Sequence, residues 1–254
     1  GLQREFLEAA SGFKDERIIG IRMSTRPDYI NKEILEQCVE FGVKTIELGV
    51  QSASNRVLEL NRRGHVFEDV IRAAEMIKSF GIELGLQMML GMYGSDPETD
   101  IETCRKIIEL EPKCTRIYPT LVLSGTALES LYIRGEYIPY TLETAVSTAK
   151  RCLLMFRKAG VEVIRIGLYP GEDLRSEGNI VAGPFHSAFG ELVENAVYKD
   201  KIEEEIIQKR LRDCDYEIIA PSSETSKIIG QKKCNKEYFF KKYGVRIKVK
   251  NRLG

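Results

Sequence analysis

Apolar and polar positions alternate with a period of two in five separate stretches, and stretches of helical spacing lie between them. In Arg17 to Arg26, Ile21, Met23 and Thr25 fall on one side and Arg22, Ser24 and Arg26 on the other, until Pro27 stops the run. In Thr45 to Gln51, Ile46, Leu48 and Val50 oppose Glu47, Gly49 and Gln51. Ile82 to Leu90 sets Leu84, Leu86 and Met88 against Gly85, Gln87 and Met89. Thr115 to Leu123 places Arg116, Tyr118 and Thr120 opposite Ile117 and Leu121, and Pro119 in its middle predicts an edge strand or a bulge. Val161 to Tyr169 closes the series. The intervening spacing predicts helices from the cap Asn31 to about Phe41, from Val66 to Phe80, from Asp96-Pro97 through Leu110, and from Leu142 to Ala159. Strand and helix alternate at βαβ lengths, which predicts an α/β fold with a parallel sheet.

One row in every strand is polar: Arg22 and Ser24, Glu47 and Gln51, Gln87, Arg116 and Tyr118, Arg165 and Tyr169. A parallel sheet covered on both faces is apolar throughout. Here one face reads as the wall of a polar cavity, as inside a barrel that holds a ligand. A place near water at a strand end is the better account of any single one of these side chains, but their recurrence in all five strands favours the cavity. Five strands do not readily close a barrel, so others are expected outside this chain. The carboxyl end of the second strand runs into Asn61-Arg62-Arg63-Gly64-His65, the position where α/β folds carry ligand chemistry.

Charge adds a second feature. The 254 residues hold 38 basic and 38 acidic side chains, but the balance is local. From Lys227 onward ten basic residues (Lys227, Lys232, Lys233, Lys236, Lys241, Lys242, Arg246, Lys248, Lys250, Arg252) face only Glu237. No apolar run approaches the roughly 20 residues of a membrane span and no signal pattern opens the chain, so a soluble, cytoplasmic protein is expected. The six cysteines, Cys38, Cys104, Cys114, Cys152, Cys214 and Cys234, form no CxxC or CxxxCxxC spacing, so no metal or cluster motif is expected from them. Cys38, Cys104 and Cys152 fall on apolar helix faces and read as buried thiols. His186, in the loop Gly183-Pro184-Phe185-His186, has no evident catalytic partner.

Several segments together resemble a known group: STRPDY (Ser24 to Tyr29), ELGVQS (Glu47 to Ser52), NRRGH (Asn61 to His65), RIYPTLVLSGT (Arg116 to Thr126) and RGEY (Arg134 to Tyr137). They are similar to the radical S-adenosylmethionine (SAM) enzymes, and among them to the Elongator catalytic-subunit group, which modifies the tRNA wobble uridine. The likeness runs over about residues 15 to 140. It implies a partial parallel (β/α) barrel, SAM, and a 4Fe-4S cluster held by a CxxxCxxC segment. An electron from a donor such as flavodoxin or ferredoxin then cleaves SAM to a 5′-deoxyadenosyl radical. By this resemblance the chain begins after the barrel's second strand. The cluster cysteines and the glycine-rich segment for the SAM amino group are expected to lie outside it, and the chain alone is expected to be inactive. The resemblance also implies that Gln51, Arg63 and Gln87 bind cofactor, with Glu47 on the same polar row and Ser24 where relatives carry glutamate. A serine accepts less well from two ribose hydroxyls than a carboxylate does. Arg116 and Tyr118 are expected to face substrate, and no residue is singled out as catalytic.

The basic end resembles a minimal KH-type RNA-binding fold: strand, helix, loop, helix, strand from Asp213. Its loop, Gly230-Gln231-Lys232-Lys233, carries lysine where the KH loop has a second glycine. Lys232, Lys233 and Lys248 are the expected RNA contacts, with salt-sensitive affinity. A solvated lysine face is the competing reading.

The expected organisation is therefore a partial radical SAM barrel over residues 1–187, a connecting helix over 188–212 and a basic KH-like α+β domain over 213–254. The expected activity is SAM cleavage to modify RNA, tRNA in particular. The acetyltransferase domain of Elongator has no counterpart here, so acyl transfer is not expected. Two alternatives stay open: a non-catalytic RNA-binding protein on a degenerate barrel, and a small-molecule enzyme related to oxygen-independent coproporphyrinogen oxidase.

Overall fold

Asn31, Ser54, Asp96 and Thr141 each accept a hydrogen bond from a first-turn N–H, and a helix begins immediately after each. The computed structural model describes residues 2–13, 15–169, 171 and 178–251. Its elements up to residue 185 are α1 Leu2–Ser11, β1 Ile21–Thr25, α2 Lys32–Glu40, β2 Val43–Gln51, α3 Asn55–Leu60, α4 Phe67–Ser79, β3 Glu83–Leu90, α5 Pro97–Glu109, β4 Cys114–Pro119, β5 Val122–Leu123, α6 Ala127–Ile133, α7 Leu142–Lys158, β6 Glu162–Ile166 and β7 Ile180–Ala182. Strands β1, β2, β3, β4 and β6 form one sheet in that order, every pair parallel. β5 and β7 make a short antiparallel ribbon.

The aliphatic row drives this sheet onto its helices. Ile46, Leu48, Val50, Leu86 and Met88 are fully buried, as are Val70 and Ile77 of α4, Ile107 of α5 and Phe156 of α7. The Met23 thioether meets the Cys38 thiol of α2 at 3.7 Å, which puts the Met23 row on the helical side. By strand alternation, Arg22, Glu47, Gln87 and Arg116 project from the opposite face. Pro119 was expected in the middle of an edge strand or at a bulge, and the structure places it otherwise. It ends β4, which lies inside the sheet between β3 and β6. The ladder needs no N–H from that last position, so proline is tolerated there.

Residues 186–254 form a second compact unit, with α8 Phe189–Gln208, β8 Asp215–Ala220, α9 Ser222–Ile229, α10 Cys234–Tyr243 and β9 Arg246–Asn251. β8 and β9 pair in parallel. The helix expected as a mere connector belongs to this unit's core: Ile202 and Ile206 of α8 cluster with Ile228, Phe239, Val245 and Ile247. Glu203 reinforces the contact, accepting from the Tyr238 and Tyr243 hydroxyls at 2.6 Å each and from Lys242 at 2.8 Å. Burial raises the Glu203 pKa, but these donors outweigh it and hold the carboxyl at about 2. Arg252, counted above in the basic end, lies outside the described residues. Among the described residues no helix is long and apolar enough to cross a membrane.

Candidate cofactor site at the carboxyl ends of the strands

β2 ends irregularly. A register shift falls between Gly49 and Gln51, and Gln51 takes a left-handed φ of 65°, uncommon for a residue with a side chain. The turn brings the side-chain amide oxygen Oε1 of Gln51 within 3.2 Å of Gln87 Nε2, which donates to it. Two of the expected cofactor residues therefore meet directly at the carboxyl ends of neighbouring strands.

Arg63 reaches the same end of the sheet by another route. Asn61 closes α3, donating through its side chain to the Val57 carbonyl at 2.7 Å and to the Tyr93 carbonyl at 2.8 Å. Arg62 follows with φ 50°, and the chain doubles back so that the Arg63 N–H donates to Leu58 at 3.0 Å. The His65 ring lies between the Arg63 and Val50 carbonyls, at 3.3 and 3.4 Å, tying this loop to β2. The Arg63 Nε is buried without a hydrogen-bond partner. Burial lowers the Arg63 pKa, and the like charge of Arg26 lowers it further. Arg26 itself is spent on Asp28, at 2.7 Å, so no anion compensates Arg63 among the described residues. No direct bond joins Arg63 to Gln51.

The middle of the polar face is organised differently. Glu47, its side chain 3% exposed, accepts from Arg22 Nη1 at 3.0 Å, from Arg116 Nε at 2.5 Å and from Arg116 Nη2 at 2.9 Å. Arg22 also donates to the Cys114 thiol at 3.3 Å, and Arg116 to the Tyr118 hydroxyl at 3.3 Å. Burial opposes ionisation of Glu47, but the two guanidiniums prevail and its pKa lies below the usual carboxylate value. The side chain crosses β3 because position 85 is glycine: a Cβ there would stand 2.6 Å from Glu47 Cγ. Glu47 thus differs from its expected cofactor role, since both its oxygens are already engaged within the protein. Ser24 is exposed and makes no side-chain hydrogen bond among the described residues. Arg116 and Tyr118, expected to face substrate, are hydrogen-bonded to each other, and Arg116 is bound to Glu47. Sequence reasoning missed Arg22 and Cys114 as members of this network. Their signal was the gap at Gly85, visible only once β2, β3 and β4 are known to be neighbours.

Comparisons with known proteins decide what this arrangement belongs to. The family model described as the radical SAM superfamily matches residues 1–107, and the one described as the radical SAM C-terminal domain matches residues 112–199. The chain belongs to the radical SAM superfamily. Among curated relatives, the tRNA uridine(34) acetyltransferase of Methanocaldococcus jannaschii is 37% identical over 58% of this chain and 28% of its own length. Elongator complex protein 3 of Homo sapiens is 32% identical over 55% of this chain and 26% of its own length. The structure of the archaeal Methanocaldococcus infernus Elp3, with residues 1–46 deleted, is similar with a TM-score of 0.66 and 31% identity, over 79% of this chain and 49% of that one. The chain thus spans about a quarter of the length of the curated relatives it matches.

Radical SAM enzymes in general use SAM and a 4Fe-4S cluster. The desolvated, uncompensated guanidinium of Arg63 suits a carboxylate, and the amides of Gln51 and Gln87 suit sugar hydroxyls. The cluster has no such match here: among the described residues no three His, Cys, Asp or Glu side chains group to hold a metal. His186 makes a local contact, accepting from the Ala188 N–H at 3.0 Å.

The loop after β3 is pinned by Asp100 of α5, a residue the sequence patterns did not single out. Its carboxylate accepts from the Gly91 N–H at 2.9 Å, the Ser95 hydroxyl at 2.6 Å and the Tyr140 hydroxyl at 2.8 Å. Burial raises its pKa from 3.8 to about 6 despite these donors. Between those values the folded state keeps a proton that the unfolded chain has released, so stability falls as pH rises through the window. Urea midpoints measured from about pH 4 to 7 should decline more in the wild type than in Asp100→Asn, by up to about 3 kcal/mol in unfolding free energy. Parallel curves for the two proteins would remove this assignment.

Proposed function

We propose that this chain supplies the cofactor-facing sheet of a radical SAM enzyme that modifies RNA, tRNA in particular, and that Arg63, Gln51 and Gln87 hold SAM. The observation that carries the SAM assignment is the half-buried guanidinium of Arg63, its Nε buried without a partner and the group left without an anion among the described residues, at the end of the sheet where the two glutamines meet. Arg63 binds the amino-acid carboxylate, and the two amides orient the ribose. The chemistry such a cofactor supplies is hydrogen abstraction from a carbon that acids and bases cannot activate. Arg116, held by Glu47, and Tyr118, which accepts from Arg116, present a guanidinium and a phenol to the substrate.

The RNA assignment is supported by the names of the similar proteins, which include a tRNA uridine(34) acetyltransferase, and by the second unit. Its strand-helix-loop-helix-strand order is that of the KH-like reading. Lys232 and Lys233 occupy the loop in left-handed conformations (φ 51° and 66°), exposed and with no acidic partner among the described residues. Lys248 departs from the expectation. It pairs with Asp215 at 2.6 Å, as Lys250 does with Glu217 at 2.7 Å, because parallel pairing sets an acidic row of β8 beside the basic row of β9. We therefore assign the docking charge to Lys232 and Lys233. A tRNA transcript should bind this chain with a strong salt dependence. Lys232→Ala with Lys233→Ala should weaken binding several-fold and lower the slope of log affinity against log salt by about 1 to 2. Unchanged affinity and slope would exclude this loop. Anaerobic reconstitution of the full-length protein tests the rest: SAM cleavage is expected, and a colourless protein that leaves SAM intact would reject it.

A further inference from the structure

Arg62 and Arg63 are neighbours with opposite fates. While Arg63 has its Nε buried, the left-handed turn at Arg62 leaves that side chain exposed, on the wall of a separate groove of about 430 Å³. The groove runs between the end of α3, the loop after β3 and helix α6. Its apolar lining is Leu60, Leu128 and Leu131, its aromatic side chain is Tyr93, and its cations are Arg62 and Arg134. No carboxylate lines it. Glu136, which pairs with Arg134, stands outside. The groove at the amino ends of the strands differs, being lined by Glu83, Glu111 and Glu162 together with Lys78 and Lys113. A polyanion is therefore favoured at one end of the sheet and opposed at the other.

Tyr93 is positioned rather than free. Its ring meets Tyr137 edge-on, 6.1 Å between centroids at 89°. Its carbonyl accepts from Asn61, and Tyr137 donates to the Gly91 carbonyl at 2.7 Å. The aromatic wall is thus fixed to the loop after β3. An aromatic face, an apolar floor and the exposed guanidinium of Arg62 are elements that bind unpaired nucleotides: stacking for the base and a cation for the flanking phosphate. The volume falls within the ~300–1,000 Å³ range of small-ligand sites.

We propose that this groove seats an unpaired nucleotide adjoining the one to be modified, with its base against Tyr93 and a flanking phosphate at Arg62. The proposal rests on the RNA reading above. It adds that the substrate enters the barrel mouth as a single strand, one residue along the chain from Arg63.

The test is fluorescence anisotropy with a labelled oligouridylate and with an RNA duplex of equal length, at two salt concentrations. The wild type should prefer the single strand. Tyr93→Leu should weaken oligouridylate binding roughly tenfold, within the ~1–3 kcal/mol of one stacked base, and leave the salt slope unchanged. Tyr93→Phe should bind like the wild type, which keeps the test valid if the leucine variant unfolds. Arg62→Gln should lower the salt slope by about 0.7, the value for one single-strand phosphate contact. Oligouridylate binding that all these variants leave unchanged, or equal affinity for the duplex, would overturn the groove while leaving the RNA reading intact. Failure of the wild type to retain either RNA at low salt would remove the RNA reading, and the groove with it.

Discussion

Replacing Glu47 with glutamine is expected to cost the fold roughly 2–4 kcal/mol, the largest stability loss of any single change on the polar face. The carboxylate is 3% exposed and lies between two guanidiniums whose side chains are 41% and 26% exposed. Removing one partner of a buried ion pair leaves the others uncompensated. Because Arg22 and Arg116 retain some access to water, the loss should fall toward the lower part of the range for fully buried pairs. Glutamine also turns an N–H₂ toward N–H donors, so at least one of the three hydrogen bonds becomes a donor facing a donor. Urea denaturation reads the loss directly, and adding Arg116→Met to the variant should restore part of it. The pH dependence has a definite sign. The folded-state pKa of Glu47 is depressed, so its contribution is complete above the ordinary carboxylate range and fades as pH falls through the lowered value. Wild type and variant should therefore converge in acid. A variant within about 0.5 kcal/mol of the wild type at neutral pH would mean that the network is a surface feature.

Much of the architecture was legible in the chain because two periods govern it. Side chains alternate along a strand, so the row Arg22, Glu47, Gln87, Arg116 was visible before any neighbour was known. The caps Asn31 and Asp96 carry their own signal, and both helices start where these residues lead. Pairings between strands are a different matter. That Glu47 reaches across Gly85 to Arg116 depends on strand order and register, which periodicity does not contain. The same blindness hid the acidic partners of Lys248 and Lys250, because β8 and β9 are separated in sequence by two helices. Helix α8 misled for another reason: its Glu- and Lys-rich sequence reads as solvated, and only packing reveals that Ile202 and Ile206 are core. At the cofactor end, the residue types of Gln51, Arg63 and Gln87 pointed to a polar ligand. The unsatisfied Arg63 Nε and the strained Gln51 backbone are properties of the folded chain alone.

Arg63→Met is expected to change stability and binding in opposite directions. A half-buried guanidinium without an anion costs the folded state, so a thioether of similar reach should raise the unfolding free energy by about 1 kcal/mol. The same change removes the only assigned partner for the SAM carboxylate and should weaken SAM binding by roughly 10- to 100-fold, the worth of a charge-assisted hydrogen bond in a desolvated site. Residues retained at the expense of stability are those a ligand needs. A residue with a purely structural role would lose stability on replacement and leave binding alone.

Titration calorimetry with SAM and with decarboxylated SAM, on the wild type and on Arg63→Met, isolates the carboxylate contact itself. The wild type should bind SAM at least about tenfold more tightly than the decarboxylated form, and Arg63→Met should bind the two alike. Equal affinities in the wild type, or a preference for SAM that survives in Arg63→Met, would contradict the assignment of this site.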